Sequence, residues 1–382
     1  MRVVHVCGDL GLYGAENVMA LLVRHTHEPD VELFAMTVNR SRHPEARERA
    51  GVPVIAIERN GRRDVFFIAR MVGELRRLRA DVVHTHGHHG RYWGRLAAVL
   101  AGVPLIVHTE HNPVLTPPSP RWAFDGLNRL LNPRTAAFID FTPRRREELA
   151  VAEGIPLDRI VVIPNGMPPA PPDPERRART RAALGLADDA LVVPVVARLF
   201  PQKRLDIALD AFAALPEDLR ARTKLIIAGD GPLRADLEAQ ASGLGLGDGV
   251  RFLGFRTDAR DVLAAGDVAL MTSAREAMPL ALIEAMLESV PIVSTPWAGA
   301  EGMLRGGALG LIAADFTPDA VAAALEAALR DRAAAAARAA TAFDHASVEF
   351  DINTQARRYA ELYRVLSART RSAKRIITAA RS

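Results

Sequence analysis

Short runs of aliphatic and β-branched residues alternate with longer amphipathic stretches along the whole chain of 382 residues. In the first half these runs come roughly 20 to 30 residues apart, the spacing of strand–helix–strand units. This alternation is typical of parallel sheets whose strands are joined by crossover helices. The predicted strands span residues 3–6, 31–38, 52–57, 82–84, 105–108, 137–141 and 160–163, and in the second half 191–196, 225–228, 250–253, 268–271, 291–294 and 309–312.

Helical periodicity is clear in three further stretches. In residues 64–79 the apolar positions recur at helical spacing with arginines opposite, which predicts a helix packed on its sheet. The alanine-rich residues 319–341 predict one or two helices. Residues 350–366 predict a last helix, followed by a basic tail, 367–382, that we expect to fray.

A proline-rich segment separates the two halves. Residues 164–174 read P-N-G-M-P-P-A-P-P-D-P, which can continue neither a helix nor a central strand. The length also exceeds that of one ordinary core. The sequence therefore predicts a first domain over 1–166, a linker over 167–174, a second domain over 175–345 and a terminal segment over 346–382.

Composition narrows the functional classes. The chain is 49% hydrophobic and 25% charged, and its first seven residues are too short an apolar run for a signal peptide. A single cysteine, Cys7, fits a reducing compartment, so we expect a cytoplasmic protein. The net charge of +4 is carried almost entirely by arginine. Because only 5% of the residues are aromatic, the arginine clusters favour an anionic membrane surface or a phosphorylated acceptor over nucleic acid as the binding partner. The alternative is that these arginines lie on ordinary solvated helix faces.

Candidate chemistry in the first half follows the predicted strands. Glycines at 8, 11 and 14 precede a helix and could approach a phosphate, although tight packing is an alternative and the G-x-G-x-x-G spacing is missing. Histidines follow at 84–89 and 108–111. Because strand ends face the ligand crevice in such sheets, these residues suit sugar or phosphate binding, or proton transfer, better than a metal site.

Candidate chemistry in the second half is charged. Arg198 and Lys203 share one loop after a strand and could hold a diphosphate, and a surface pair is the alternative. Glu276 lies just before a helix that Pro279 is predicted to open, with Glu284 eight residues later. These acids could bind hydroxyl groups, or could be ordinary helix positions. No D-x-D motif occurs, so we expect no metal-held diphosphate.

Together these motifs resemble those of the retaining glycosyltransferase family 4, which has the GT-B fold. The resemblance covers nearly the whole chain through V-V-H-T-H-G at 82–87, H-T-E-H at 108–111, V-I-P-N-G at 162–166, R-x-x-x-x-K at 198–203, A-G-D-G-P at 228–232, F-L-G-F at 252–255 and E-x7-E at 276–284. It implies an α/β protein of two Rossmann-like, doubly wound domains facing each other across a cleft, with the last helix crossing back to the first domain.

The resemblance also implies roles for individual residues. His111 would lie beside the transferred sugar, Arg198 and Lys203 would hold the diphosphate, and Glu276 would bind sugar hydroxyls. The other expected donor-binding residues are Gly11, Gly14, Asn165, Gly231, Phe255, Ala277, Met278, Pro279, Leu280 and, on the ribose, Glu284. Two positions depart from the family pattern, since Ala197 and Ala277 stand where glycine is usual.

We therefore expect a retaining glycosyltransferase. It would move a hexose-type sugar from a nucleoside-diphosphate sugar to a glycan or lipid-linked acceptor, in polysaccharide or glycolipid synthesis, without metal or cofactor. The acceptor is expected near residues 84–91 and the proline-rich loop 113–120. A sugar-nucleotide epimerase of the same shape, an NAD-dependent oxidoreductase and a non-catalytic sugar-nucleotide-binding protein are the alternatives.

Overall fold

The computed structural model describes residues 1–10, 14–39, 51–61, 63–111, 121–169 and 172–379. The chain divides into two compact units, Met1–Pro168 with Asp351–Ser382, and Pro169–Phe350. These limits differ by a few residues from the predicted domain boundaries at 166, 175 and 345. Within the predicted linker, Met167 forms a bridge to Asp351 of unit 1, and Pro174 begins a helix.

Unit 1 is built on a seven-stranded parallel sheet in the order β3-β2-β1-β4-β5-β6-β7. Its central strands are buried on both faces, which explains their continuous apolar runs. The strands are β1 (Arg2–Cys7), β2 (Glu32–Thr37), β3 (Val54–Ala56), β4 (Val82–His86), β5 (Leu105–Thr109), β6 (Ala137–Asp140) and β7 (Ile160–Val162).

The described helices of unit 1 connect these strands or pack on the sheet. One of them shows how local sequence sets their limits: the Thr142 hydroxyl accepts a bond from the Arg145 amide at the start, and Gly154 ends the helix at φ 62°. They are α1 (Gly14–His25), α2 (Phe67–Arg77), α3 (Arg95–Ala101, preceded by short turns at Gly87–His89 and Gly90–Gly94), α4 (Arg121–Leu131), α5 (Pro143–Glu153) and α15 (Ile352–Ala379).

The last helix, α15, is longer than predicted. It continues through Ala379 rather than ending near residue 366, so the expected fraying tail is corrected to helix over most of its length. The physical reason is that alanine, arginine and lysine favour helix and that no glycine or proline interrupts residues 352–379. Its buried side chains Ala356, Tyr359 and Tyr363 join the core formed with β1, β4 and β5.

Unit 2 contains two three-stranded parallel sheets, ordered β10-β9-β8 and β11-β12-β13. Asp267 links them, because its amide donates to the carbonyl of Val192 (2.7 Å) and its carboxylate accepts from the Val192 amide (2.8 Å). The strands are β8 (Leu191–Val196), β9 (Thr223–Ala228), β10 (Val250–Gly254), β11 (Ala269–Met271), β12 (Ile292–Ser294) and β13 (Leu311–Ile312).

The helices of unit 2 follow its strands, as the alternating pattern predicted. One prediction needs correction: Pro279 has an extended backbone (ψ 124°) and precedes the helix, which begins at Leu280. The helices are α6 (Pro174–Ala183), α7 (Leu205–Ala213), α8 (Glu217–Arg220), α9 (Arg234–Gly243), α10 (Ala259–Ala264), α11 (Leu280–Leu287), α12 (Ala300–Met303), α13 (Pro318–Arg330) and α14 (Arg332–Glu349).

Hydropathy sets a limit on membrane insertion. Within the described ranges, none of the helices combines the length and the apolar character needed to cross a bilayer.

Candidate active site

A charged cluster lies where strands β8 and β11 of unit 2 end. The Lys203 ammonium forms an ion pair with the Glu276 carboxylate, and both side chains are largely buried, at 17% and 11% exposure. The Ser273 hydroxyl donates to the same carboxylate at 2.6 Å. Two predicted site residues from distant parts of the sequence are therefore in direct contact.

Backbone contacts hold this cluster in place. The Thr272 hydroxyl donates to the Lys203 carbonyl (3.0 Å), and the Thr295 hydroxyl donates to the Ser273 carbonyl (2.7 Å). Behind them Trp297 is buried, and its indole N–H donates to the hydroxyl of Ser294 at 3.1 Å. The segment after β11 is thus tied both to the Lys203 loop and to the end of β12.

Arg198 lies on a loop that packs against the A-G-D-G-P turn at 228–232, and this close approach requires glycine in the turn. A Cβ on Gly229, whose φ is 149°, would lie 1.8 Å from the carbonyl oxygen of Ala197, and one on Gly231 would lie 2.5 Å from that of Leu199. The Arg198 side chain is exposed, with its guanidinium carbon 4.8 Å from the Phe200 ring centroid. The A-G-D-G-P turn therefore supports the arginine loop, a role for Gly231 that the sequence did not reveal.

Glu284 lies in helix α11 and is partly exposed. Burial raises the pKa of its carboxyl from 4.5 to about 7, with Arg260 opposing the shift and Glu288 adding to it. Glu288, one turn later, is held by ion pairs with Arg176 and Arg260. Near neutral pH this carboxyl is therefore divided between its protonated and ionised forms.

The remaining predicted donor-binding residues of unit 2 lie around these groups. Ala277 and Met278 are buried in the segment between Glu276 and α11, and Leu280 is the first residue of that helix. Phe255 follows β10 and keeps 37% of its surface exposed. The structure brings the predicted residues of this segment together at the N-terminus of α11, where backbone amides lack helical partners.

In unit 1 the histidines cluster because of strand periodicity. His5 on β1 is the cross-strand neighbour of His84 on β4, and His84 and His86 are two residues apart, so all three lie on one face of the sheet. His5 Nδ1 lies 2.9 Å from His86 Nε2, and His86 Nδ1 lies 3.1 Å from His111 Nε2. The predicted catalytic His111 therefore stands at the end of a chain of imidazoles.

A second network surrounds His84. Its Nδ1 lies 2.6 Å from the Tyr363 hydroxyl of α15 and its Nε2 lies 2.7 Å from the Thr109 hydroxyl of β5. Burial raises the pKa of the Tyr363 hydroxyl and lowers that of the His84 ring, so both groups are neutral. Helix α15 is thus fastened to the sheet by a buried polar contact.

The three histidines His5, His84 and His86 have ligand atoms within 4.8 Å of one another, close enough for a metal ion. Both ring nitrogens of His84 and both of His86 already take part in hydrogen bonds. The geometry therefore fits a hydrogen-bonded network of neutral rings, and the absence of a metal cofactor stays a prediction.

The other predicted residues of unit 1 are less informative. Gly14 is the first residue of α1, with φ 40° and open space where a side chain would be. Asn165 is buried after β7. Gly11 and the proline-rich loop 113–120 lie outside the described residues.

Sequence reasoning missed the residues that support the site. Ser273, Thr295 and His5 carry no charge pattern of their own, and each becomes significant only through a hydrogen bond to a predicted residue or its neighbour. The S-x-x-E spacing of Ser273 and Glu276 was the one available signal.

Two α/β units of parallel strands, the second with an Arg–Lys–Glu site where its strands end, define the GT-B class of glycosyltransferases. The family "Glycosyl transferases group 1" matches residues 176–344, and "Glycosyltransferase Family 4" matches residues 13–171. Together these two descriptions cover both halves of the chain, which therefore belongs to the glycosyltransferase family that they describe. The predicted fold class is confirmed.

Individual relatives agree. The chain is 30% identical over 236 residues to the UDP-Gal:alpha-D-GlcNAc-diphosphoundecaprenol alpha-1,3-galactosyltransferase of Escherichia coli, covering 57% of this chain and 58% of that protein. It is 31% identical over 266 residues to the D-inositol 3-phosphate glycosyltransferase of Actinosynnema mirum, covering 62% and 63%. The matches thus span about three fifths of these relatives. The crystal structure of HepE from Anabaena with UDP and glucose superposes with a TM-score of 0.82 at 22% identity, covering 95% of this chain and 99% of HepE.

Proposed function

We propose that the protein transfers a hexose-type sugar from a nucleoside-diphosphate sugar to a glycan or lipid-linked acceptor, with retention of anomeric configuration. The observation that carries this proposal is the contact between Lys203 and Glu276 where β8 and β11 end, with Arg198 exposed on the Lys203 loop. Strand ends in open parallel sheets are where such ligands bind. The site offers cations for a diphosphate and a carboxylate for sugar hydroxyls.

The chemistry follows from the charges. As the bond from the anomeric carbon to the phosphate breaks, positive charge builds on the sugar and negative charge on the departing diphosphate. Arg198, Lys203 and the N-terminus of α11 oppose that negative charge, which stabilises the transition state. Glu276 keeps Lys203 oriented before the donor arrives.

Retention can be reached without a covalent intermediate. Glu276 is already engaged by Lys203 and Ser273, which suits a group that binds hydroxyls better than a nucleophile. We propose that the acceptor oxygen attacks the face that the diphosphate leaves, and that the acceptor's proton passes to the departing phosphate oxygen. A glycosyl adduct trapped on Glu276 would contradict this step.

We further propose that no metal ion is required. The arginine, the lysine and the helix N-terminus already supply positive charge for the diphosphate, and the sequence lacks the D-x-D motif associated with metal-held donors. Activity should therefore be retained in excess EDTA. Loss of activity in EDTA, with recovery on adding a divalent cation, would refute this part of the proposal.

The E. coli relative and HepE support a UDP-linked donor as first choice, and the E. coli relative supports a lipid-linked acceptor. The name of the E. coli relative includes UDP-Gal and a diphosphoundecaprenol acceptor, and the HepE crystal contains UDP and glucose. An anionic membrane surface is a natural location for such an acceptor. Val65 and Phe66, at 69% and 73% exposure beside Arg63, are among the exposed apolar and basic groups of unit 1 that could contact it.

The test is thermal stability of the full chain with UDP, GDP, ADP, CDP or NAD⁺, each with EDTA. A ligand at a hundred times its dissociation constant stabilises the folded state by about 2.7 kcal/mol. Stabilisation by one nucleoside diphosphate, lost in Lys203→Ala, supports the proposal. Stabilisation by NAD⁺ alone would favour the oxidoreductase, and donor turnover to an epimeric nucleotide sugar without transfer would favour the epimerase.

A further inference from the structure

Three imidazole rings form one continuous hydrogen-bonded chain in unit 1. His5 and His86 are 1% and 3% exposed, their rings are nearly parallel at an interplanar angle of 14°, and their facing nitrogens are 2.9 Å apart. The other nitrogen of His86 lies 3.1 Å from Nε2 of His111. Each distance is that of a direct hydrogen bond.

We infer that His86, backed by His5, is a positioning residue that fixes the ring orientation of His111 and couples the tautomer of His111 to its own. The inference rests on the proposed function only in the role given to His111, that of the imidazole facing the transferred sugar. The hydrogen-bonded row of three imidazole rings is present in the ligand-free protein.

The argument depends on proton counting. A neutral imidazole carries one N–H, so a ring in the middle of such a chain donates through one nitrogen and accepts through the other. If His86 donates to His111, then His111 carries its proton on Nδ1; if His86 accepts, then His111 carries it on Nε2. Either arrangement is coherent from His5 to His111, and in both His86 ties the tautomer of His111 to that of His5.

The surroundings keep the chain neutral. Burial lowers the pKa of His5 to about 3, that of His111 to about 4, and that of His86 well below its usual range. The other ionisable groups that act on His111 are Glu110, which favours its charged form, and His108 and Arg145, which disfavour it.

Within the part of the chain that the structure describes, one nitrogen of His111 has no hydrogen-bond partner. Its Nε2 is used by His86, the Phe141 ring lies 5.3 Å away centre to centre, and among the described residues no hydrogen bond to Nδ1 is found. Because His86 holds the ring at Nε2, His111 presents Nδ1 in a fixed direction. A histidine without such a partner would rotate and exchange tautomers, so the orientation of His111 would vary.

The test begins with nitrogen NMR of the full chain labelled at its histidines, without ligand. At pH 7 we expect His111 to be neutral and in the same tautomer as His86, with a scalar coupling across the hydrogen bond between His86 Nδ1 and His111 Nε2. Both are measured on the unaltered protein. A tautomer of His111 that differs from that of His86, or the absence of that coupling, would overturn the inference even if every variant failed to fold.

Variants then separate positioning from packing. His86→Phe should change the tautomer populations of His111, whereas His84→Phe should leave them unchanged. The control is matched, because His84 lies on the same strand, is equally buried and also loses two hydrogen bonds. An unchanged His111 tautomer in folded His86→Phe would refute the inference.

Turnover adds a readout that depends on function. Because small misplacements near a reacting centre cost up to about 100-fold, His86→Phe should lower kcat for UDP-sugar cleavage by ~10- to 100-fold with little change in KM. A UDP-sugar that is never turned over by the unaltered protein would count against the proposed function. The NMR result would stand independently.

Discussion

Nucleotide binding should depend on pH through Glu284. The pKa of this carboxyl is raised from 4.5 to about 7 by burial, so near pH 6 most of the ligand-free protein carries it protonated. Ribose hydroxyls donate hydrogen bonds to a carboxylate, and we therefore expect the ligand to select the ionised form. Binding should release a proton and tighten as pH rises.

The size of the effect follows from the pKa. With a value of about 7, about a tenth of the carboxyl is ionised at pH 6 and about nine tenths at pH 8. Affinity for UDP should therefore rise about tenfold across that interval. The stability of the ligand-free protein changes with pH in the opposite direction. Because the pKa of this carboxyl is raised on folding, the folded state holds the proton more tightly than the unfolded state does. This stabilisation is present below pH 4.5 and is lost as pH rises through 7.

Calorimetric titration of UDP at pH 6, 7 and 8 would measure the effect, with proton release counted in buffers of different ionisation enthalpy. The terminal phosphate of UDP also titrates, so the quantity to compare is the ratio of affinities of the unaltered protein and Glu284→Gln. That ratio should rise about tenfold from pH 6 to pH 8. A ratio that stays constant would refute the assignment of Glu284 to the ribose.

Three further substitutions test the site and the fold. Lys203→Ala should lower turnover by ~100-fold or more because a cation facing the diphosphate is lost, and full activity would refute the role assigned to Lys203. Gly229→Ala should displace the neighbouring arginine loop and weaken UDP binding, since its Cβ would lie 1.8 Å from a carbonyl oxygen; unchanged binding would show that the loop adapts. Tyr363→Phe should cost about 1–3 kcal/mol in chemical unfolding by leaving a buried His84 nitrogen without its partner, and a negligible cost would mean that the contact adds nothing.

Strand positions could be predicted from the sequence because parallel strands buried on both faces leave continuous apolar runs. The element types along both units followed from the same alternation, and the family's motifs located the Lys203 and Glu276 loops. Ends of elements were less predictable. Pro279 fits the first position of a helix, yet it precedes one, and α15 continues to Ala379 because nothing in its sequence stops it.

The hydrogen bonds that support the site could not be predicted, because they depend on pairing between strands that are far apart in the sequence. Ser273 and Thr295 are separated by a strand and a helix, and only the parallel pairing of β11 with β12 brings them into contact. The link between His5 and His86 spans 81 residues and requires β1 to lie beside β4. Strand order of this kind is set by the packing of the whole sheet rather than by local pattern.

The return of α15 to unit 1 has a consequence for biosynthesis. Because chains are made from the N-terminus, residues 169–350 emerge from the ribosome, and can fold, before the helix that completes unit 1 exists. Until α15 arrives, the sheet face with His84 lacks Tyr359 and Tyr363, which belong to its core. The first unit to begin synthesis is therefore the last to be finished, and for that interval its unfinished core is a surface that chaperones could recognise.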